Sequence, residues 1–216
     1  MSSDLVETLP LASRLALSYA PRTCREHVLA LLALDARLAG IVRGDGEPII
    51  AQMKLAWWRE RLAQEPQDWP AGEPLLALLR RGKLDTTALQ SLVDGWEALL
   101  ADTLDETVVE AFAAGRAAMW QTLAEAHGGG SAEAAQAARE QAMTDLALNL
   151  GTREEAAMAR DLANAQEWDR ARLPAPLRPL VILHGLSRRA LQRGAEELLD
   201  GPGAMAAVLR LGILGR

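Results

Sequence analysis

The stretch Gln52–Leu62, QMKLAWWRERL, sets two adjacent tryptophans among four charged residues. At about 100° per residue, one broad arc of the predicted helix carries six apolar side chains: Ile50, Ala51, Leu55, Trp57, Trp58 and Leu62. Lys54 and Arg61 lie within the same arc. Because an unpaired buried charge is costly, these cations must extend to solvent, pair with carboxylates or meet an anionic ligand. The stretch therefore predicts a helix that either packs into a core or forms the cationic edge of a ligand cavity.

Composition favours an all-α chain. The sequence has 216 residues, of which 50% are hydrophobic and only 4% aromatic. Ala and Leu have the highest helix propensities, whereas the β-branched and aromatic residues that favour strands are scarce here. Capping residues, Gly and Pro divide the chain into about eight or nine helical segments. We therefore predict one all-α domain over residues 1–216, folded as a helical bundle.

Charge and cysteine content argue against several classes of protein. A net charge of -6 and a pI of about 5.2 disfavour nucleic-acid binding, which needs a concentrated basic surface. The single Cys24 cannot form an internal disulfide, and no Cys and His cluster has metal-ligand spacing. The N-terminus does not resemble a secretory signal, so we expect a cytoplasmic protein. Peripheral contact with the inner membrane stays open, because residues 205–214 are apolar with one arginine.

Two segments carry a family resemblance. Residues 53–62, MKLAWWRERL, follow an Ala/Leu-rich pair of predicted helices and a turn. In this position they resemble the arginine-flanked W-W-R helix of the squalene/phytoene synthase family. Residues 159–162 (ARDL) and 170–174 (RARLP) resemble the family's R-D segment and its downstream R-x-Y-L-P. The resemblance implies an isoprenoid-synthase fold with a central cavity that two aspartate-rich helices face.

The acids that the resemblance implies are missing at the matched positions. In active members they hold Mg²⁺ ions that bind the diphosphates of two prenyl donors, and carboxylates four residues apart suit this because they share one helix face. Here the place of the first D-D-x-x-D is residues 39–43, AGIVR, which contain no carboxylate. In the second segment Asp161 matches, but the position one turn later is Ala165. We therefore predict no metal site and expect no cofactor.

The missing acids favour a noncatalytic squalene/phytoene synthase-like protein with a binding or assembly role. A branch of the family acts in the assembly of respiratory complex I, so respiratory-complex assembly has precedent by resemblance. The partner would be a protein, a prenyl diphosphate or another apolar ligand. The candidate ligand-binding residues are Lys54, Trp57, Trp58, Arg61 and Arg160.

The alternative is a divergent prenyl transferase that condenses farnesyl or geranylgeranyl diphosphates in isoprenoid biosynthesis. It would be Mg²⁺-dependent and would use Asp35, Asp161 and Asp169, with Lys54 and Arg61 clamping the diphosphate. This alternative requires its side chains to converge on one cavity. A third interpretation, an unrelated helical interaction module, predicts an apolar surface patch and no central cavity.

Overall fold

The computed structural model describes residues 2–44, 46–82, 84–166, 168 and 171–215. These ranges contain helices and turns but no strand, so the all-α prediction is confirmed. The eleven helices are α1 (Ser2–Glu7), α2 (Leu11–Ser18), α3 (Arg25–Val42), α4 (Pro48–Leu62), α5 (Pro74–Gly82), α6 (Thr86–Ala98), α7 (Glu106–His127), α8 (Ser131–Asn149), α9 (Arg153–Asn164), α10 (Arg178–Arg193) and α11 (Gly201–Leu214). The predicted number, eight or nine, was too low. One reason is that α1 has only six residues, too few to show helical periodicity.

Helix ends follow local backbone chemistry. The side chains of Asp85 and Asp105 cap α6 and α7, each accepting a hydrogen bond from a backbone N–H two or three residues later. Gly128 and Gly194 end α7 and α10 with φ values of 121° and 63°, which favour glycine. The sequence predicted that α10 would continue to Leu199. It ends at Arg193 because the left-handed Gly194 turns the chain away.

Every helix contributes to one continuous hydrophobic cluster, and α7 lies between α6 and α8 at its centre. The approach of α6 to α7 depends on two glycines that face each other, Gly95 and Gly115, whose Cα atoms lie close together. A Cβ added at Gly115 would lie 2.5 Å from the carbonyl oxygen of Ser91. Trp96 and Phe112 fill the adjacent space edge to face, with ring centroids 4.9 Å apart.

The tryptophan helix α4 is only partly embedded. Its buried side chains, Leu55, Trp58 and Leu62, form a narrow stripe that faces α3 and α6. Ile50 is 43% exposed and Trp57 is 38% exposed, so the broad apolar arc predicted from the sequence is not buried as a whole. The reason is position: α4 packs along one side only, and its other side meets solvent.

An arginine inside the tryptophan stretch anchors α4 to α6. Arg59 donates from Nε to Oδ1 of Asp94 over 2.7 Å, and its Nη2 contacts the carboxylate of Glu97. Both carboxylates lie on α6. The W-W-R sequence therefore combines a core tryptophan with an interhelical ion pair. No helix in the described ranges has both the length and the apolarity needed to cross a bilayer.

A histidine pair joins α3 to the end of α7. His27 Nδ1 and His127 Nε2 lie 2.6 Å apart. At this distance one nitrogen carries the proton and donates it in a hydrogen bond, and the other accepts. Both rings are half-buried. Burial, and then the neighbouring His27, lower the pKa of His127 below its ordinary value. Protonating both rings would place two cations in contact.

We predict that Gly115→Ala lowers the free energy of unfolding by about 1–3 kcal/mol, because the new methyl overpacks the α6–α7 contact. Gly40→Ala is the matched control: this glycine is also helical, but a Cβ there meets nothing within 4 Å. It should raise stability by up to about 1 kcal/mol through helix propensity. Urea unfolding of both variants tests this, and equal effects would contradict the packing argument.

The histidine pair predicts a pH dependence of stability. The unfolded chain protonates His127 near pH 6.5, whereas the folded chain resists protonation until a lower pH. The unfolded state therefore binds more protons, and the free energy of unfolding decreases as pH falls through about 6.5. His127→Gln should reduce this decrease. Denaturant unfolding of wild type and variant between about pH 7.5 and 5.5 measures it, and parallel curves would disprove the effect.

Candidate functional site

A cavity of about 360 Å³, which we call the central cavity, opens between helices of the bundle and has exposed residues such as Leu11 and Glu196 at its edge. Its walls come from α2, α3, α7, α8 and α10, and the turn after α10 closes one side. The volume is near the lower end of the roughly 300–1,000 Å³ typical of small-molecule sites. Apolar side chains form much of the lining, and the polar members are Asp35, Arg43, Arg116, Gln141, Asp145, Asn149, Glu196 and Glu197, with Ser13 at the edge.

An arginine bridges two aspartates at the cavity wall. Arg116 on α7 donates from Nη2 to Oδ2 of Asp35 on α3 over 2.7 Å, and from Nε to Oδ1 over 3.1 Å. Its Nη1 donates to Oδ2 of Asp145 on α8 over 2.7 Å. The three side chains are only 7%, 14% and 17% exposed. We call Asp35, Arg116 and Asp145 the Asp–Arg–Asp cluster; it ties three helices together at one point.

The hydrogen-bonding capacity of the cluster is largely used within the protein. The indole Nε1 of Trp96 donates to Oδ1 of Asp35 over 2.8 Å, so both oxygens of that carboxylate are occupied. The guanidinium of Arg116 also lies 5.5 Å from the Trp96 ring centroid and 5.0 Å from that of Phe112. The π-faces of both rings attract the guanidinium and add to its ion pairs with the two carboxylates.

The charge at the centre of the cluster is permanent. Burial lowers the pKa of Arg116, but the adjacent carboxylates of Asp35 and Asp145 outweigh burial and raise the pKa above its ordinary value. The guanidinium is therefore protonated throughout the stable pH range. A fixed monovalent cation therefore bonds to two carboxylates from different helices.

Sequence reasoning missed both Arg116 and Asp145. Each was detectable as a single charge inside a largely apolar run, AFAAGRAAMW around Arg116 and AMTDLAL around Asp145. A charged side chain in such a run must find a partner when the helix is buried. The sequence signalled the need for a partner, but the pairing itself arises from the packing of α3, α7 and α8.

The place of the missing first aspartate motif faces the cavity. Asp35, Ala39 and Arg43 follow one another at four-residue intervals on α3, and all three line the cavity. Arg43 lies 5.8 Å from the centroid of Trp96. This wall therefore presents a methyl group and a cation where a magnesium site would need oxygen ligands.

Mg²⁺ does not fit the residues present. The one acid on the α3 wall, Asp35, is bonded to Arg116 and Trp96, and the nearby cations Arg43 and Arg116 would repel a divalent ion. Mg²⁺ demands near-octahedral oxygen ligands. Within the described residues, no group of three or more His, Cys, Asp or Glu side chains has an arrangement that could hold a metal ion.

The acids of the prenyl-transferase alternative lie in different surroundings. Asp35 lines the cavity, whereas Asp161 is exposed on α9 and does not. Asp169 lies outside the described residues. Arg160, half-buried on α9, donates from Nη2 to the carbonyl oxygen of Ala195 over 3.4 Å, which connects α9 to the turn that closes the cavity.

The candidate ligand-binding residues of α4 do not line the central cavity. Trp58 is 3% exposed and packs in the core, while Trp57 meets it edge to face at the surface. The Arg61 guanidinium lies 6.0 Å from the Trp57 ring centroid. Lys54 borders a separate cavity of about 310 Å³ together with Arg37. Arg160 contacts the turn that closes the central cavity, and Lys54 borders a cavity that shares Ala36 with the central one.

Comparison with known proteins assigns the chain to a family. The squalene/phytoene synthase family model matches residues 13–209, a range that includes α3, α7, α8 and α10 and most of α2. Comparisons with curated proteins and with solved structures give no match. The match spans most of the chain and agrees with the all-helical architecture. The chain belongs to the squalene/phytoene synthase family.

Proposed function

We propose that this family member performs no prenyl transfer and has a binding or assembly role. The observation that carries the proposal is the Asp–Arg–Asp cluster. Prenyl-diphosphate ionisation needs positive charge that stabilises a departing polyanion, and divalent ions normally supply it through carboxylate ligands. Here the guanidinium of Arg116 holds the carboxylates of Asp35 and Asp145, and the α3 wall offers Ala39 and Arg43 instead of acids.

The dimensions of the cavity support binding of one modest ligand. Condensation requires two prenyl donors side by side, whereas about 360 Å³ is close to the smallest volumes of small-molecule sites. The lining places Leu32, Met119 and Leu183 near Arg43. An apolar ligand would match the hydrophobic wall, and an anionic end would have to contact Arg43, because Asp35, Asp145, Glu196 and Glu197 line much of the rest of the polar surface. A prenyl diphosphate bound without metal is one ligand of this type.

The outer face of α4 supports a protein partner. Ile49, Met53 and Trp57 follow one another at four-residue intervals and are 54%, 63% and 38% exposed. Large exposed apolar side chains in a row are typical of interaction surfaces. An assembly role, for example in respiratory-complex assembly, would use such a surface. We propose a cytoplasmic location, with peripheral contact at the inner membrane as part of that role.

Incubation with farnesyl or geranylgeranyl diphosphate and Mg²⁺ tests the proposal directly. We expect no condensed C30 or C40 product and no pyrophosphate release above a protein-free control, because the described residues offer no group of side chains that could hold a metal ion. Mg²⁺ alone should also leave the thermal midpoint unchanged, since an ion that binds the folded state would raise it. Formation of squalene or phytoene would establish the alternative, a divergent Mg²⁺-dependent prenyl transferase.

The Asp–Arg–Asp cluster predicts a large stability effect. Arg116→Met should lower the free energy of unfolding by about 3–5 kcal/mol, because two buried carboxylates lose their counterion. Arg139→Met is the matched control, since Arg139 also links α7 and α8, through Glu110, but at the surface. It should cost less than about 1 kcal/mol. Denaturant unfolding measures both.

A triple variant separates the effect of unpaired buried charge from the effect of lost packing. Adding Asp35→Leu and Asp145→Leu to Arg116→Met removes the stranded carboxylates and should recover much of the lost stability. If Arg116→Met costs no more than Arg139→Met, the cluster does not hold the cavity wall together.

A further inference from the structure

A second cavity of about 360 Å³ lies between α10 and α11, away from the central one. Its lining includes four arginines: Arg188, Arg189 and Arg193 on α10, and Arg210 on α11. No carboxylate is among the described residues that line it. The chain as a whole carries a net charge of -6, so this concentration of positive charge opposes the overall balance. We call these four residues the arginine pocket.

Ion pairing within the described ranges leaves most of this charge unbalanced. The only carboxylate in an ion pair with the pocket is Asp200, whose Oδ2 lies 3.9 Å from Nη1 of Arg189, beyond hydrogen-bonding distance. That Nη1 atom is buried and has no hydrogen-bond partner. Arg188, Arg193 and Arg210 have no ion pair with any residue that the structure describes. The Nη1 atom of Arg189 is closed off from solvent, so an anion in the cavity would contact the more accessible guanidinium groups of Arg188, Arg193 and Arg210.

The inner wall of the arginine pocket is rigid. His184 lines it, and its Nε2 lies 2.5 Å from Oε2 of Glu140, a buried contact that ties α10 to α8. The ring of Trp168 stacks on the other side, with centroids 5.1 Å apart. Glu140 is thus already engaged with His184 and lies outside the pocket lining. The pocket combines a fixed wall with guanidinium groups at its mouth.

The clustered charges of the four arginines lower the stability of the fold when the pocket holds no anion. Arg189 and Arg193 are four residues apart on α10, where like charges repel. Arg193 is partly compensated by its place in the last turn of the helix, where a cation is favourable. Arg210 approaches from another helix and gains no such compensation, since it does not lie in the last turn of α11. An anion between α10 and α11 would relieve the repulsion and bind both helices.

We propose that the arginine pocket binds a phosphate-bearing ligand. Guanidinium groups recognise phosphate through paired N–H donors, and several arginines around one cavity match its multiple charges. The volume exceeds that of a bare phosphate ion, so the pocket accommodates an ester group as well. The phosphate belongs either to a soluble ester or to the headgroup of an anionic lipid; α11 also exposes the apolar side chains of Met205, Leu209 and Ile213.

The test compares two double variants that remove the same charge. Arg188→Gln/Arg193→Gln removes two of the four pocket arginines. Arg22→Gln/Arg81→Gln removes two exposed arginines elsewhere. Binding of inorganic phosphate and of glycerol phosphate is measured by calorimetry at constant ionic strength. Binding of vesicles is measured by flotation, with phosphatidylglycerol vesicles compared with phosphatidylcholine vesicles. Thermal midpoints in chloride check folding, and Arg193→Gln alone serves if the pocket double variant is unstable.

The expected result is that wild type and the Arg22/Arg81 variant bind alike, while the pocket variant binds at least about tenfold more weakly. Binding of the free phosphates without vesicle binding identifies a soluble ester. Pocket-dependent binding to phosphatidylglycerol vesicles identifies a lipid headgroup. The proposal is overturned if wild type binds neither probe, or if the two double variants lose affinity equally.

Discussion

The architecture depends on one buried interaction, the contact of the Arg116 guanidinium with the carboxylates of Asp35 and Asp145. The three residues come from α3, α7 and α8, so their geometry fixes the mutual positions of the helices that enclose the central cavity. A buried charge has a large desolvation cost, and the arrangement persists because every guanidinium nitrogen has an acceptor. The Trp96 and Phe112 rings complete the surroundings of the cation.

The same interaction determines what chemistry the cavity supports. Two carboxylates on neighbouring helices could ligate a divalent metal ion, but here both are bonded to one guanidinium, which neutralises one of their two charges and occupies the space between them. A guanidinium is a fixed cation that stays attached to the protein, whereas a metal ion arrives with water and exchanges ligands. With Ala39 and Arg43 at the place of the first aspartate motif, the cavity wall keeps its apolar residues but lacks the family's cluster of acids there. The arginine pocket lies outside this cavity and shares no lining residue with it.

The sequence predicted the helical class and the family because both depend on features that can be read without knowing the packing. The helical class follows from Ala and Leu content and capping residues, and the family from the W-W-R segment. It predicted less well wherever tertiary packing decides. Trp57 and Trp58 are adjacent and chemically identical, yet one lies at the surface and the other in the core, because α4 packs along one side only. Arg116 and Asp145 were missed because a lone charge in an apolar run shows that a partner is needed without showing which helix supplies it. Ala39 and Arg43, which stand at the place where the family resemblance puts the first aspartate motif, do line the cavity.

A crystal structure of the protein with a prenyl thiodiphosphate and Mg²⁺ tests the central claim most directly. The account predicts that the Arg116 guanidinium remains bonded to both aspartates and that no magnesium ion is coordinated by protein side chains. Displacement of Arg116, with Mg²⁺ bridging the diphosphate to Asp35 and Asp145, would contradict it.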